Sequence, residues 1–398
     1  MKAWGNAMVI GLSAAAIFLA DCPTAAGHQP MPPERIRPDG IAALRMGPTQ
    51  IDALVRDLGS DEFVTREKAS RRLIELGIVT REALERAAGG PDAEVRARAR
   101  AILVQVCQSD FRHRLEAFSA DYDGSHKQSL PAWDQFSSQF GASRLARQMF
   151  VDMQRAEPEL LEALAQGVKT AGEVLAERSQ QILSGNGEEL SSLGTLASLL
   201  FVASVEGVAV DELGSMNLYP YAVRATYQQT SKSPLWPGVL KKIAGRWITK
   251  DNTPAVVNQN LIFAAQLELK DEALAVAARV LSSDDSLANS RQIAILLLGR
   301  FGDKSHRATL EKLLTDATSC GMVPTDKPPH QVELQIRDVA LAVLLQMTEQ
   351  DLRQYGLPSA QPWGPTFFQV GTLWFANPQA REAALAKWAK WRAEHPDS

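Results

Sequence analysis

One spacing, R-x-x-A-x-x-x-L, recurs four times in this chain of 398 residues. The copies begin at Arg66, Arg96, Arg291 and Arg337. An alanine and a leucine four positions apart lie on one face of a helix, and recurring similar helices are the signature of helical repeats. Strand signals are sparse. The spacing therefore predicts an all-α chain built from short, stacked helices.

Two copies of this spacing extend toward the start of the helix. The first contains Asp92, Val95, Arg96, Ala99 and Leu103, and the second contains Glu333, Ile336, Arg337, Ala340 and Leu344. An acidic residue at a helix start caps free N–H groups and complements the helix dipole. The three apolar residues then form one buried stripe. The arginine lies beside it, with its guanidinium expected in solvent.

The extended pattern resembles the second helix of HEAT repeats, which pair two antiparallel helices. The resemblance is good at 92–103 and 333–344, partial at 66–73 and weaker at 291–298. It implies an α-solenoid, whose concave surface suits the binding of proteins or peptides. Tetratricopeptide repeats are the main rival, because the segment 271–281 suits one of their helices.

The helices around these copies are marked by apolar periodicity and by glycine stops. Ile51 to Leu58 follows an i, i+3, i+4, i+7 pattern that ends at Gly59. In the middle region, 130–250, we expect helices without an alignable repeat. Its clearest segments are the stripes Leu145–Met153 and Leu160–Val168, the apolar helix Leu193–Val205, and a loop at Pro220.

The segment 356–378 combines Gly and Pro with large aromatic side chains. Its candidate partner contacts are Trp363, Phe367, Phe368 and Trp374, because Trp and Phe are enriched at interfaces. The alternative, which we favour, is that these aromatics pack as a cap on the end of the solenoid. A last helix is predicted over 379–394.

The N-terminus has the order of a secretory signal peptide. The uncharged apolar run Met8–Ala20 is followed by small residues, with cleavage expected after Ala26 or Gly27. A membrane-spanning helix needs about 20 apolar residues, more than this run supplies. The residues before Cys22 resemble a bacterial lipobox, although Asp21 stands where a small uncharged residue is usual. We expect a periplasmic or extracellular protein, or, as the alternative, one anchored to the cell envelope by a lipid on Cys22.

Charge and motifs exclude several classes of function. The net charge of −4 gives no reason to expect nucleic-acid binding. The common nucleotide-binding, hydrolase and metalloprotease motifs are absent from the sequence. The segment 119–130 places Asp121 and Asp123 as in a calcium loop but lacks its first and last ligands, which favours an acidic solvated loop. No cofactor, metal or catalytic residue is predicted, and a pairing of Cys107 with Cys320 stays open.

These patterns divide the chain into six segments. They are a signal peptide (1–27), a Pro-rich linker (28–48), N-terminal HEAT-like helices (49–117), a helical middle region (118–250), a second HEAT-like region (251–352), and an aromatic loop with a terminal helix (353–398). The predicted function is a non-catalytic scaffold or binding module for a protein or peptide. The alternative is an enzyme of unknown class, with its site in the middle region or the C-terminal loop.

Overall fold

A computed structural model of the protein describes residues 47–126, 128–184, 192–229, 236–251, 253–324, 331–357, 360 and 368–396. Helices dominate this part of the chain, as the repeat predicted. The chain divides into two compact units, Met1–Cys107 and Gln108–Ser398. The predicted signal peptide and nearly all of the predicted linker lie outside the described residues. None of the described helices is both long and apolar enough to span a bilayer.

The N-terminal unit is built from helices at the positions where periodicity placed them. They are α1 (Pro48–Asp57), α2 (Phe63–Leu76), α3 (Arg81–Ala88) and the first half of α4 (Ala93–Ala120). Gly77 ends α2 in the left-handed region at φ 69°, which glycine adopts without steric cost. The core of this unit includes Leu58, Leu73, Leu84 and Ala99, all fully or almost fully buried.

The two N-terminal copies of the repeat make the same contacts. The Nη1 atom of Arg66 donates to the carbonyl oxygens of Ser60 and Asp61, six and five positions before it, at 2.7 and 3.1 Å. Arg96 binds the carbonyl oxygens six and five positions before it, at 2.9 and 2.6 Å. The guanidinium expected in solvent therefore ties each helix to the turn that precedes it.

The copy at 92–103 has the predicted helix start. The carboxylate of Asp92 accepts a hydrogen bond of 2.9 Å from the N–H of Val95, so it caps α4 as expected. Ala99 is fully buried, while Val95 and Leu103 are half-buried and pack against the same core. These positions therefore lie on the predicted stripe.

The C-terminal unit continues with many short helices and one hairpin. They are α5 (Trp133–Phe140), α6 (Arg144–Ala156), α7 (Pro158–Gln166), α8 (Val168–Ser184), α9 (Leu193–Ser204), α10 (Glu212–Gln229), α11 (Lys241–Lys250), α12 (Val257–Gln266), α13 (Lys270–Ser282), α14 (Ala288–Phe301), α15 (Arg307–Lys312), β1 (Ser319–Pro324), β2 (Gln331–Gln335), α16 (Ile336–Met347) and α17 (Pro378–Glu394). Short 3-10 turns and one π-helical turn, Trp236–Leu240, connect them.

Helix α9 lies at the centre of this unit, as its apolar composition predicted. It packs against α6, α7, α8, α10 and α11. Every residue from Gly194 to Ser204 is buried. Gly194 permits the closest of these contacts, because a Cβ atom there would lie 2.7 Å from the carbonyl carbon of Asp152 on α6.

Two helix boundaries of the middle region were predicted wrongly. Val168 does not continue the stripe of α7, since Gly167 ends that helix and Val168 begins α8. Pro220 was expected in a loop but lies inside α10. The proline has no N–H to donate to the carbonyl of Met216, so α10 continues through it without that backbone hydrogen bond.

The repeat copy at 333–344 begins differently from the prediction. Glu333 lies in β2, which pairs antiparallel with β1 and places Glu333 opposite Met322. Helix α16 starts only at Ile336, and Asp338 supplies the acidic cap by accepting the N–H of Gln335 at 2.9 Å. The segment 331–334 alternates, because Val332 and Leu334 are buried while Gln331 and Glu333 are exposed, and this alternation indicates a strand.

Candidate functional site

The aromatic C-terminal segment packs inward wherever the structure describes it. Trp363 and Phe367 lie outside the described residues. Phe368 is 4% exposed and belongs to the core, and Trp374 is half-buried against that core. A side chain as buried as Phe368 cannot contact a partner unless the segment opens.

A buried ion pair ties α17 to α16 next to this segment. Arg381 donates to both carboxylate oxygens of Asp338, from Nε at 2.7 Å and from Nη2 at 3.0 Å, and also to the carbonyl oxygen of Glu333. Arg337, the arginine of the repeat, instead pairs with the exposed Glu382 at 3.0 Å. Arg337 therefore lacks the carbonyl contacts of Arg66 and Arg96.

The cysteines that were considered for a disulfide are both free thiols. Cys107 is half-buried in α4, and Cys320 is half-buried in β1. Burial, with the nearby Asp338 and Asp316, raises the pKa of Cys320 to about 12. A thiol with that pKa carries almost no thiolate at neutral pH, so Cys320 is not an activated nucleophile.

A polar cavity of the C-terminal unit lies between the end of α4 and helix α6, with a volume of about 450 Å³. The side chains around it are those of Ser119, Ala120, Tyr122, Arg144, Arg147, Gln148, Val151, Asp152 and Arg155. The six that come from α6 are spaced at three- and four-residue steps, so they form one face of that helix. Three guanidinium groups therefore line one side of the cavity.

Arg147 is the fixed member of this arginine-lined cavity. It is 5% exposed, and its guanidinium carbon lies 3.9 Å from the ring centre of Phe118. Its Nη2 atom donates to the carbonyl oxygen of Phe118 at 3.1 Å and to Asp121 at 3.4 Å. Its Nε atom is buried and has no hydrogen-bond partner. Burial lowers the pKa of Arg147, but a guanidinium stays charged at any physiological pH.

The loop behind Arg147 is the one compared with a calcium loop. Asp121 is 3% exposed rather than solvated. Its oxygens accept the backbone N–H groups of His126 and Gln128 at 2.9 and 3.1 Å, which lowers its pKa. Asp121, Asp123 and His126 come close enough to share an ion. Because Asp121 already accepts backbone and arginine hydrogen bonds, its observed role is to close this loop on Arg147.

A second cavity, of about 420 Å³, is lined by Lys250, whose ammonium group makes three hydrogen bonds within the protein. The Nζ atom of Lys250 donates to the carbonyl oxygens of Ala203, Val205 and Val208 at 2.8, 2.6 and 3.1 Å. These carbonyls lie at and beyond the C-terminal end of α9, where helix carbonyls lack partners. Burial lowers the pKa of Lys250. All three protons of the ammonium group are thus used to cap α9.

The spacing of arginines in α6 indicates one side of the arginine-lined cavity from the sequence itself. The apolar stripe of 145–153 was recognised, whereas Arg144, Arg147 and Arg155 repeat at helical spacing on the neighbouring face. Comparison with protein-family models, with curated proteins and with solved structures finds no match.

Proposed function

We propose that this protein is a non-catalytic binding module of HEAT-like helical repeats that acts outside the cytoplasm on a protein or peptide. The observation that carries the proposal is the equivalence of Arg66 and Arg96, which bind the same two preceding carbonyls. Equivalent contacts at equivalent positions support a structural repeat, and stacked repeats provide an extended surface for partners.

A non-catalytic role is supported by how the reactive groups are used. Lys250 caps a helix, Asp121 closes a loop, and Cys320 is held as a neutral thiol. A nucleophile or general base must be free to exchange a proton with a substrate. These three groups are engaged in holding the fold instead, which weighs against the enzyme alternative.

The exposed apolar residues of the N-terminal unit favour a macromolecular partner. Ile78 and Val79, on the 3-10 turn after α2, are 39% and 53% exposed, and Phe63 and Val64 at the start of α2 are 62% and 54% exposed. Apolar side chains left in water at the ends of one helix suit burial by a second surface.

The test is affinity purification of the full-length tagged protein from its native cell envelope after mild cross-linking. One or two stoichiometric proteins are expected with the wild type. The Ile78→Ser/Val79→Ser variant should lose them, while Leu287→Ser, at a residue 66% exposed in the other unit, should keep them. Circular dichroism shows that each variant is folded. The proposal fails if the wild type captures nothing above background.

Export is supported by the N-terminal sequence pattern alone and needs a test of its own. Mass spectrometry of the mature protein should place its first residue at Gly27 or His28. A lipid-modified Cys22 at the new N-terminus would instead establish the envelope-anchored alternative. Recovery of the intact N-terminus from the cytoplasm would refute export.

A further inference from the structure

We propose that the arginine-lined cavity between the end of α4 and helix α6 binds a phosphate or sulfate group of a small ligand, through Arg144, Arg147 and Arg155. This site is separate from the N-terminal surface proposed above for a protein partner. The two proposals therefore stand or fall independently.

The residues that line the cavity include more positively than negatively charged side chains. Three guanidinium groups line it, and Asp152 is the one carboxylate among its described lining residues. Asp152 pairs with Arg155 at 3.4 Å, and burial raises its pKa. Asp121 contacts Arg147 from the loop on the other side of the guanidinium. Asp123 also acts on Arg147, so Arg144 is the arginine of the lining without a carboxylate partner among the described residues. Among the lining residues themselves positive charge exceeds negative charge, which attracts an anion.

Arg147 provides a preorganised donor in this cavity. The ring of Phe118, the carbonyl of Phe118 and the carboxylate of Asp121 fix the plane of its guanidinium. The buried Nε atom remains without a partner. Because the guanidinium is held in one plane, its remaining N–H groups can bind a ligand oxygen with little loss of side-chain entropy.

Arg144 and Arg155 are the exposed counterparts of this buried donor. Both are exposed, and Arg144 has no ion pair among the described residues. The paired N–H donors of a guanidinium match the oxygens of phosphate and sulfate. Three guanidinium groups offer more donors than the two oxygens of a carboxylate can accept from. Tyr122, 63% exposed, lies at the same cavity and offers an aromatic face to whatever carries the anionic group.

The test measures binding of inorganic phosphate, sulfate and acetate to the full-length protein by calorimetry and by thermal shift at constant ionic strength. The Arg144→Gln/Arg155→Gln variant removes the two exposed arginines and leaves the buried Arg147 in place. The matched control, Arg112→Gln/Arg353→Gln, removes the same charge from exposed positions that do not line the cavity.

We expect phosphate or sulfate to raise the melting temperature of the wild type and the control by about 2 °C at ten times its Kd. Acetate should produce no such shift. In the Arg144→Gln/Arg155→Gln variant, affinity should fall by about tenfold or more. The proposal is overturned by the absence of a shift beyond that of chloride, by an equal shift with acetate, or by full retention of binding in that variant.

Discussion

At the scale of single residues, this fold uses charged groups as internal ties. Asp338 has a side chain only 1% exposed, and it accepts two hydrogen bonds from Arg381 and one from the N–H of Gln335. A buried carboxylate is tolerated when all its oxygens are paired, and becomes costly when one partner is removed. The pair joins two helices that are separated by thirty residues of the chain.

Replacing Arg381 by methionine should therefore lower the free energy of unfolding by about 3–5 kcal/mol, because it leaves the Asp338 charge buried without its partner. Urea unfolding followed by circular dichroism measures the loss. Arg337→Met is the control, since its partner Glu382 is 63% exposed, and it should cost about 1 kcal/mol or less. Equal losses in the two variants would contradict the assignment of Asp338–Arg381 as the tie.

The same variant should respond to pH in a defined direction. Burial raises the pKa of Asp338, and Arg381 opposes that rise, so its removal should raise the pKa further. A folded-state pKa above the unfolded value adds stability at low pH, which is lost as the pH rises through it. The deficit of Arg381→Met should thus be smaller at about pH 5 than at about pH 8. A deficit independent of pH would mean that the charge is not its cause.

A substitution of Lys250 tests whether this lysine stabilises the fold or is available for catalysis. Lys250→Met should lower the free energy of unfolding by about 1–3 kcal/mol, because three carbonyls at the end of α9 lose their donor. Lys242→Met, at an exposed position on α11, should change it by about 0.5 kcal/mol or less. Full stability of Lys250→Met in urea unfolding would free this lysine for another role.

At the scale of elements, the packing of α9 against α6 depends on one missing side chain. Gly194→Ala should lower the free energy of unfolding by about 1–3 kcal/mol, because the new methyl group meets the backbone of α6 at Asp152. Ala197→Gly, on the same helix, serves as the opposite change and should cost about 1 kcal/mol, mainly through helix propensity and a small lost contact. A neutral Gly194→Ala would show that α9 and α6 can move apart freely.

The repeat makes a prediction about two elements together. Arg66→Met and Arg96→Met each remove two bonds to backbone carbonyls, so each should lower the free energy of unfolding of the N-terminal unit by about 1–3 kcal/mol. The losses should agree within about 1 kcal/mol. Arg71 is exposed on α2, so Arg71→Met should leave the free energy of unfolding almost unchanged. Clearly unequal losses would count against a structural repeat.

Elements with a single strong pattern were predictable from sequence, and elements with two competing patterns were not. The stripe 51–58 became α1 because its apolar residues follow the helical period, and the segment 193–205 became the buried helix α9 because it is apolar on most sides. At 333–344 the repeat spacing continued into a short alternating segment, and the strand pattern prevailed before Ile336. The arginine face of α6 was not predicted, because apolar periodicity locates only the buried face of a helix and says nothing about the polar face.

At the scale of the whole molecule, the described residues form two hydrophobic cores with no shared member. One lies in the N-terminal unit around Leu58, Leu73 and Ala99. The other lies in the C-terminal unit and includes most of the apolar residues of α6, α9, α14 and α16. Leu145, the first residue of the predicted stripe of α6, is 46% exposed and lies outside that core. Because cooperativity in unfolding follows from a shared core, separate cores predict separate unfolding units. The sequence pointed to several helical segments but could not locate this division, which falls inside the continuous helix α4.

We therefore expect two transitions in urea unfolding of the full chain, with the smaller amplitude belonging to the N-terminal unit. Arg96→Met should shift one transition and Gly194→Ala the other, because Arg96 lies in the N-terminal unit and Gly194 in the C-terminal unit. Fluorescence reports mainly the C-terminal transition, since seven of the eight tryptophans lie beyond Gln108, while circular dichroism follows both. A single transition, shifted equally by both variants, would instead mean that the two units unfold together. The continuous helix α4 would then be the cause, because helix formation is cooperative along the chain.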